Sequence, residues 1–264
     1  MTKEIGIVKL AHQINYFSSP LFQIRPTFAR SFHNQHFVRN IIIAIDGYSS
    51  CGKSTLARDL ASALRFGYVD SGAMYRAVTL FFLDHDIDFE DHETIVAALQ
   101  QIHIEFRNVQ AQNRTFLNGR DVEDEIRDMR VSSSVSPVAA IPEVRRALVQ
   151  QQKALGNTGG IVMDGRDIGT VVFPHAELKI FLTADPDERV QRRKIELNAK
   201  GLELSEESVR KNLLERDRID STRADSPLKQ ADDAIVIDNT LLNRQEQLEL
   251  ALQLAHEKMK QLAV

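Results

Sequence analysis

Gly47, Gly52, Lys53 and Ser54 stand at the spacing G-x-x-x-x-G-K-S within GYSSCGKST (47–55), directly after the apolar run IIIAID. Glycines at this spacing let the backbone turn so that consecutive amides, here of Tyr48, Ser49, Ser50 and Cys51, face one point. The helix that follows adds its partly positive N-terminus. Lys53 can bridge outer phosphates, and Ser54 or Thr55 can offer a hydroxyl to a magnesium ion. The turn therefore predicts nucleoside-triphosphate binding. It also holds the chain's only cysteine. Cys51 as a nucleophile would need a partner base, and none lies nearby in the sequence. It reads as a small residue packed beside the turn, with sensitivity to oxidation as a secondary expectation.

A phosphate loop alone does not say what accepts the phosphate. No N-K-x-D string of a guanine-specific switch occurs. Arginine recurs instead, in DSGAMYR (70–76), DGRD (164–167) and RDRIDSTR (216–223), and again at Arg189, Arg192 and Arg193 in DPDERVQRR. Arg216, Asp220 and Arg223 fall at i, i+4 and i+7, one face of a helix. Asp185 is expected to cap the preceding helix, with Pro186 at its first position and Glu188 at its third. Any single arginine is ordinarily a solvated ion-pair partner. Several that converge on strand ends suit transfer between two phosphates, because guanidinium forks hold each anion and offset their repulsion.

The elements that must position these residues are visible in the pattern. Short β-branched runs, IIIAI (41–45), FGYVD (66–70), GIVMD (160–164), LKIFLTA (178–184) and AIVID (234–238), alternate with helical stretches. They lack strict in–out alternation, as strands covered on both faces do. The expected fold is α/β, a five-stranded parallel sheet flanked by helices, with ligands beyond the carboxyl ends of the strands. IHIEFR (102–107) and RTFLNGRDV (114–122) read as a hairpin, so residues about 87–130 form a small inserted lobe. The last helix is expected to bury Leu248, Leu252, Ala255, Met259 and Leu262 as one stripe.

The totals bound the partners. A net charge of −4 argues against a general nucleic-acid binder. No apolar run is long enough to span a membrane, and a single cysteine fits a reducing compartment, the cytoplasm. Residues 1–40 carry Lys3, Lys9, Arg25, Arg30 and Arg39 against Glu4. They read as a disordered extension rather than a targeting segment, and His33 and His36 as an unaccompanied pair rather than a metal site. The acidic run Asp84 to Asp91 lacks the glycine and closing glutamate of a calcium loop and reads as a solvated connection. His175 reads as a surface or packing residue.

DSGAMYR, DGRDIGTVVFP and R-D-x-x-D-x-x-R, in this order after the phosphate loop, resemble bacterial-type cytidylate kinase over residues 41 to 262. The resemblance implies a P-loop kinase core (41–86, 131–184 and 224–264), an inserted monophosphate-binding lobe and a helical lid over about 185–223. It implies transfer of the ATP γ-phosphate to CMP or dCMP with magnesium, by a monomer. UMP or a small metabolite as acceptor, or a nucleotide-driven shape switch, remain open alternatives. The resemblance further implies that Arg76, Arg166 and Arg223, with Ser71 and Tyr75 beside them, hold the acceptor phosphate. Ser136, Arg145 and Asp167 would read the cytosine edge, and Arg216 with Asp220 the sugar. Lys53, Arg166, Arg223 and Asp164 are the catalytic candidates, Ser54 and Asp164 the magnesium candidates, and Arg189 and Arg193 the lid cations facing ATP. The chain departs from the pattern at Tyr48 and Cys51 within the loop, and at Ile219, where relatives often carry an arginine that Arg218 could replace.

Overall fold

The structure, a computed structural model, describes residues 40–110, 112–199 and 201–262. The extension read over 1–40, with His33 and His36, lies outside the described residues except for Asn40.

Five strands pair in parallel: β1 (Ile42–Gly47), β2 (Gly67–Asp70), β6 (Ile161–Gly165), β7 (Leu178–Thr183) and β8 (Ile235–Asp238), in the order β2-β6-β1-β7-β8. Successive β1 residues go to opposite faces. Ile43 and Ile45 join Leu56, Leu60, Val162, Ile180 and Ala251 in one core cluster, while Ala44 joins Met74, Phe82, Val138 and Met163 in the other. Such a strand has no polar side to alternate with, which is why its sequence is a continuous apolar run. β8 differs from the others. It is one of the sheet's two edges, and unlike β2 at the other edge it is left open on one side, with Val236 49 % exposed, so the expectation of cover on both faces fails there.

Helix α1 (Lys53–Leu64) and α8 (Arg244–Leu262) cover the first face. The α8 stripe is turned from the expected one. Gln247, Ala251, Ala255 and Met259 are its buried residues, and Leu248, Leu252 and Leu262 pack as partly buried flanks. Small alanines at the centre let two helices approach closely, and leucines beside them close the seam. The second face is covered by α2 (Ser71–Asp84), α4 (Met129–Ala140) and α5 (Pro142–Leu155).

Between α2 and α4 lie α3 (His92–Leu99) and an antiparallel sheet of β3 (Ile104–Val109), β4 (Gln112–Leu117) and the short β5 (Arg120–Asp121). The hairpin forms, with Ile104 opposite Leu117. Its inward residues Ile104, Phe106 and Leu117, with Val122 and Ile126 beyond, belong to the same cluster as α2 and α4. The inserted sheet is therefore seated on the main core. Helices α6 (Pro186–Ala199) and α7 (Glu206–Thr222) instead share a small cluster of their own, Val190, Leu197, Val209 and Leu213. Asp185 caps α6 as expected, its Oδ1 accepting from the amides of Asp187 and Glu188 at 2.8 and 3.3 Å.

Candidate active site

The carboxyl ends of β1, β2 and β6 carry the site. At the end of β1, Gly47 has φ +150° and passes so close to β7 that a Cβ there would stand 2.0 Å from the Leu182 carbonyl oxygen. Only glycine permits that approach. Ser50 (φ +58°) and Gly52 (φ +90°) complete the turn, and α1 begins at Lys53. Lys53 Nζ donates to the Tyr48 carbonyl at 2.5 Å. Burial, reinforced by the positive charge of Arg166, lowers its pKa. Cys51 is fully buried, its Sγ 3.0 Å from the same carbonyl, and Asn239 Nδ2 donates to the Cys51 backbone oxygen at 2.8 Å. This is the packing role expected of the thiol. The expected oxidation sensitivity does not follow from it, because a thiol with no exposed surface offers an oxidant no access.

Across the turn, the next-to-last residue of β6 is Asp164, 3 % exposed. Its two carboxylate oxygens accept from Ser54 Oγ at 2.8 Å and Tyr68 Oη at 3.1 Å, and its backbone oxygen accepts from Ser71 Oγ at 2.6 Å. Burial, with the charge of Asp70 adding to it, pushes Asp164 up to about 7. Asp70 caps α2 through the Ala73 amide, 2.9 Å away, and pairs with Arg127 at 2.9 Å. Burial works to raise Asp70, but the Arg127 charge and hydrogen bond hold it below the usual carboxylate range.

Arginines from five separate segments meet at a cavity of about 510 Å³ in front of Lys53 and Ser54, whose lining includes Arg76, Arg127, Arg166, Arg192, Arg193 and Arg216. Arg76 donates to the Ile126 carbonyl at 3.0 Å and has no ion pair with a carboxylate among the described residues. Burial and the charges of Arg216, Arg127 and Arg193 drive its pKa well down. Arg216 is lowered to about 10 by burial and by Arg166. Among the described residues its hydrogen bond is a long one, 3.5 Å to Ser132 Oγ, and its buried Nε has no hydrogen-bond partner. Buried cations that repel one another and lack partners are unfavourable unless an anion completes them.

A second cavity of about 60 Å³ adjoins the first. Ser71, Tyr75, Ser136, Asp167, Asp220 and Arg223 line it together with Arg76, Arg166 and Arg216. Arg145, 1 % exposed, is absent from the lining; it pairs with Asp167 and donates to the Ala139 carbonyl at 3.1 Å. Arg223 lies 3.6 Å from Asp167 and 3.8 Å from Asp220. Asp220 binds Arg166 at 3.0 Å, and against its burial the charges of Arg166, Arg216 and Arg223 keep it low. Burial raises Asp167, and Arg145 opposes it. The Tyr75 hydroxyl is buried without a hydrogen-bond partner among the described residues.

The three α6 arginines diverge in their partners. Arg189 donates to the Ser49 carbonyl at 3.2 Å and lies 5.3 Å over the Tyr48 ring, and Arg193 pairs with Glu196 at 2.7 Å. Arg192 donates to Asn239 Oδ1 and to its backbone oxygen, both at 2.9 Å. Arg218 does not stand in for an arginine at 219: it is 63 % exposed and pairs with Glu215. His175 is exposed, as expected.

Sequence reasoning missed Asp46, Asp70, Arg127, Asp217 and Asn239. Asp46 is the next-to-last residue of β1, directly before Gly47. Its oxygens accept from the amides of Ile168 and Gly169 at 2.8 and 2.7 Å, and burial pushes it up to about 6. It thereby holds the π-helical turn Ile168–Val172 that follows Asp167. A carboxylate adjoining Gly47, and an aspartate opening DSGAMYR just before a helix, were available signals. Arg127 carried none.

A family model described as Cytidylate kinase matches residues 43–257. A cytidylate kinase of Phocaeicola vulgatus is 58 % identical over 80 % of this chain and 94 % of its own. Those of Parabacteroides distasonis and Bacteroides thetaiotaomicron are 52 % identical (83 % of this chain, 98 % of theirs) and 54 % identical (80 % and 95 %). With the phosphate loop, the arginine-lined cavity and the adjoining pocket assembled in one place, this chain belongs to the cytidylate kinase family.

Proposed function

We propose that the chain phosphorylates CMP and dCMP with ATP, giving the diphosphates. The observation that carries this reading is the joining of two cavities. One, beside the phosphate loop, is lined by more cations than carboxylates, with Arg76 and Arg216 buried in its wall, and the other is small and has a carboxylate on its wall. A shape switch has no use for the second.

In this reading Lys53 and the loop amides, except that of Ser49, which donates to Asp217 instead of facing a phosphate as expected, take the donor phosphates, and Arg76, Arg166 and Arg223 take the acceptor phosphate. Buried guanidinium groups then neutralise charge as it moves between the two, which is most of what phosphoryl transfer asks of a protein beyond alignment. Asp167 faces the base and accepts from its amine; uracil presents an oxygen there, and two acceptors face to face are unfavourable. Arg145 acts through Asp167, holding it from behind, with Ser136 on the same wall. Arg216 and Asp220 reach the sugar. Arg189 and Arg193 belong to the α6–α7 lid, whose separate small core suits movement as a unit and whose closure keeps water from the donor.

Ser54 and Asp164 suit magnesium, since a hydroxyl and a buried carboxylate oxygen 2.8 Å apart are hard oxygen donors. When bound there, magnesium would screen phosphate charge. No described helix is long and apolar enough to cross a membrane. We read the protein as a cytoplasmic monomer that binds nucleotides rather than nucleic acid, in keeping with its net charge of −4 and its free, buried cysteine.

The test is ADP release from ATP and magnesium with a panel of nucleoside monophosphates. CMP and dCMP should raise ADP well above buffer, and UMP less; if neither exceeds buffer, the assignment fails.

A further inference from the structure

Ser49 is the point of the phosphate loop on which three other elements converge. Its N–H donates to Asp217 Oδ1 at 3.1 Å, its carbonyl accepts from Arg189 Nη1 at 3.2 Å, and its hydroxyl accepts from Arg166 Nη2 at 2.8 Å. Asp217 and Arg189, from α7 and α6, also pair with each other at 2.5 Å. Ser49 is 1 % exposed and Asp217 9 %. The reading above gives Ser49, Arg166 and Arg189 a part and leaves Asp217 without one.

A buried carboxylate beside a phosphate loop is a poor source of stability, and it places an anion where phosphates must come. Its contacts account for it. One oxygen fixes the Ser49 amide, immediately before the strained Ser50, and the other neutralises Arg189. We infer that Asp217 is a positioning residue that seats the α6–α7 pair on the phosphate loop and holds Arg189 along the Ser49 carbonyl. This rests on the kinase reading. With the carboxylate in place, Arg189 stays at the loop instead of being drawn to the nearest phosphate oxygen. The Ser49 hydroxyl keeps its orientation toward Arg166, so one side chain sets two cations against the donor.

The test uses the full chain with Asp217→Asn, which keeps the size and one acceptor, and Asp217→Ala, which keeps neither. Without nucleotide, amide exchange in a peptide spanning Ser49 should quicken about tenfold or more in Asp217→Ala and less in Asp217→Asn. With ATP and CMP, KM for ATP should rise about five- to tenfold while KM for CMP stays within about twofold. Unchanged exchange at Ser49, or a KM for CMP that climbs as much as that for ATP, would overturn the assignment. If Asp217→Ala does not fold, Asp217→Asn carries the same readouts. Exchange is measured without turnover: a wild-type protein inert toward CMP would sink the kinase reading, while faster exchange at Ser49 would still uphold the seating contact.

Discussion

Arg166 Nη2 donates to the Ser49 hydroxyl at 2.8 Å, so the arginine that follows β6 and the loop that follows β1 are hydrogen-bonded directly. The same guanidinium reaches Asp220 on α7 through Nε at 3.0 Å. A planar fork can span two such partners and still face an anion; an ammonium cannot. Arg166→Lys should therefore fold, keep its charge and lose about 10²- to 10³-fold in kcat for CMP, with KM for ATP changed by about threefold or less. Steady-state kinetics against both substrates checks this, and a near-wild-type kcat would remove Arg166 from the transfer step.

Asp164 should set function against stability. Its carboxyl is raised to about 7 by burial and by Asp70, so in the folded protein its charged form is disfavoured relative to the unfolded chain. The sign follows: the penalty is full above about pH 7 and vanishes as pH falls from there toward the ordinary carboxylate range, because the folded state binds the extra proton. Asp164→Asn should thus raise the melting temperature of the nucleotide- and metal-free protein at pH 8, by about 3 °C or more, and this gain should narrow by pH 5. The same variant should lose roughly 10²-fold or more in kcat. A melting temperature lowered at pH 8 would contradict the electrostatic account.

What the sequence made legible was local. GYSSCGKST, the apolar runs and the Asp185 cap each depend on residues within a few positions of one another, and each lies where the pattern placed it. The sheet, its flanking helices and the inserted hairpin followed from the same patterns. The residues that went unseen take their meaning from distant partners: Arg127 meets Asp70 across 57 positions, Ser49 meets Asp217 across 168, and Asp46 meets Gly169 across 123. The exposed face of β8 and the turned stripe of α8 were missed for a related reason. Both depend on which strand ends the sheet and how closely α8 approaches it, and hydrophobic periodicity reports neither.

Asp167 and Arg145 bear on the choice of base. Asp167→Asn replaces one acceptor oxygen by a donor at the wall of the small cavity, and so should lower the CMP-to-UMP ratio of kcat/KM by about 10- to 100-fold. It also leaves the buried Arg145 with only the longer pair to Asp225, 3.7 Å away and partly exposed, among the described residues, which should cost about 2–3 kcal/mol in stability. The ratio is internal to one preparation, so a smaller folded fraction does not distort it. An unchanged ratio would take Asp167 out of base reading.

Cys51→Ala should be mild. The thiol contributes packing and a contact to the Tyr48 carbonyl, while the loop's chemistry rests on backbone amides and Lys53. Removing one buried sulfur should lower stability by about 1 kcal/mol and leave kcat within about threefold. Loss of nearly all turnover in a folded Cys51→Ala protein would instead make the thiol part of the reaction.

Asp46 joins the two halves of the site. It lies within β1 next to Gly47, and it also holds the amides of Ile168 and Gly169 directly after Asp167. Asp46→Ala would strand two buried N–H groups in the π-helical turn. Each such group costs about 1–3 kcal/mol, and relief of the carboxylate's own burial offsets only part of this. The turn would relax toward geometries that bond these amides elsewhere, and Asp167, one residue away, would move with it. The variant should melt earlier than wild type, and its KM for CMP should rise about tenfold, more than its KM for ATP, because the phosphate loop keeps its glycines and its own contacts. Equal increases in both constants would mean that Asp46 supports the donor loop as much as the acceptor turn.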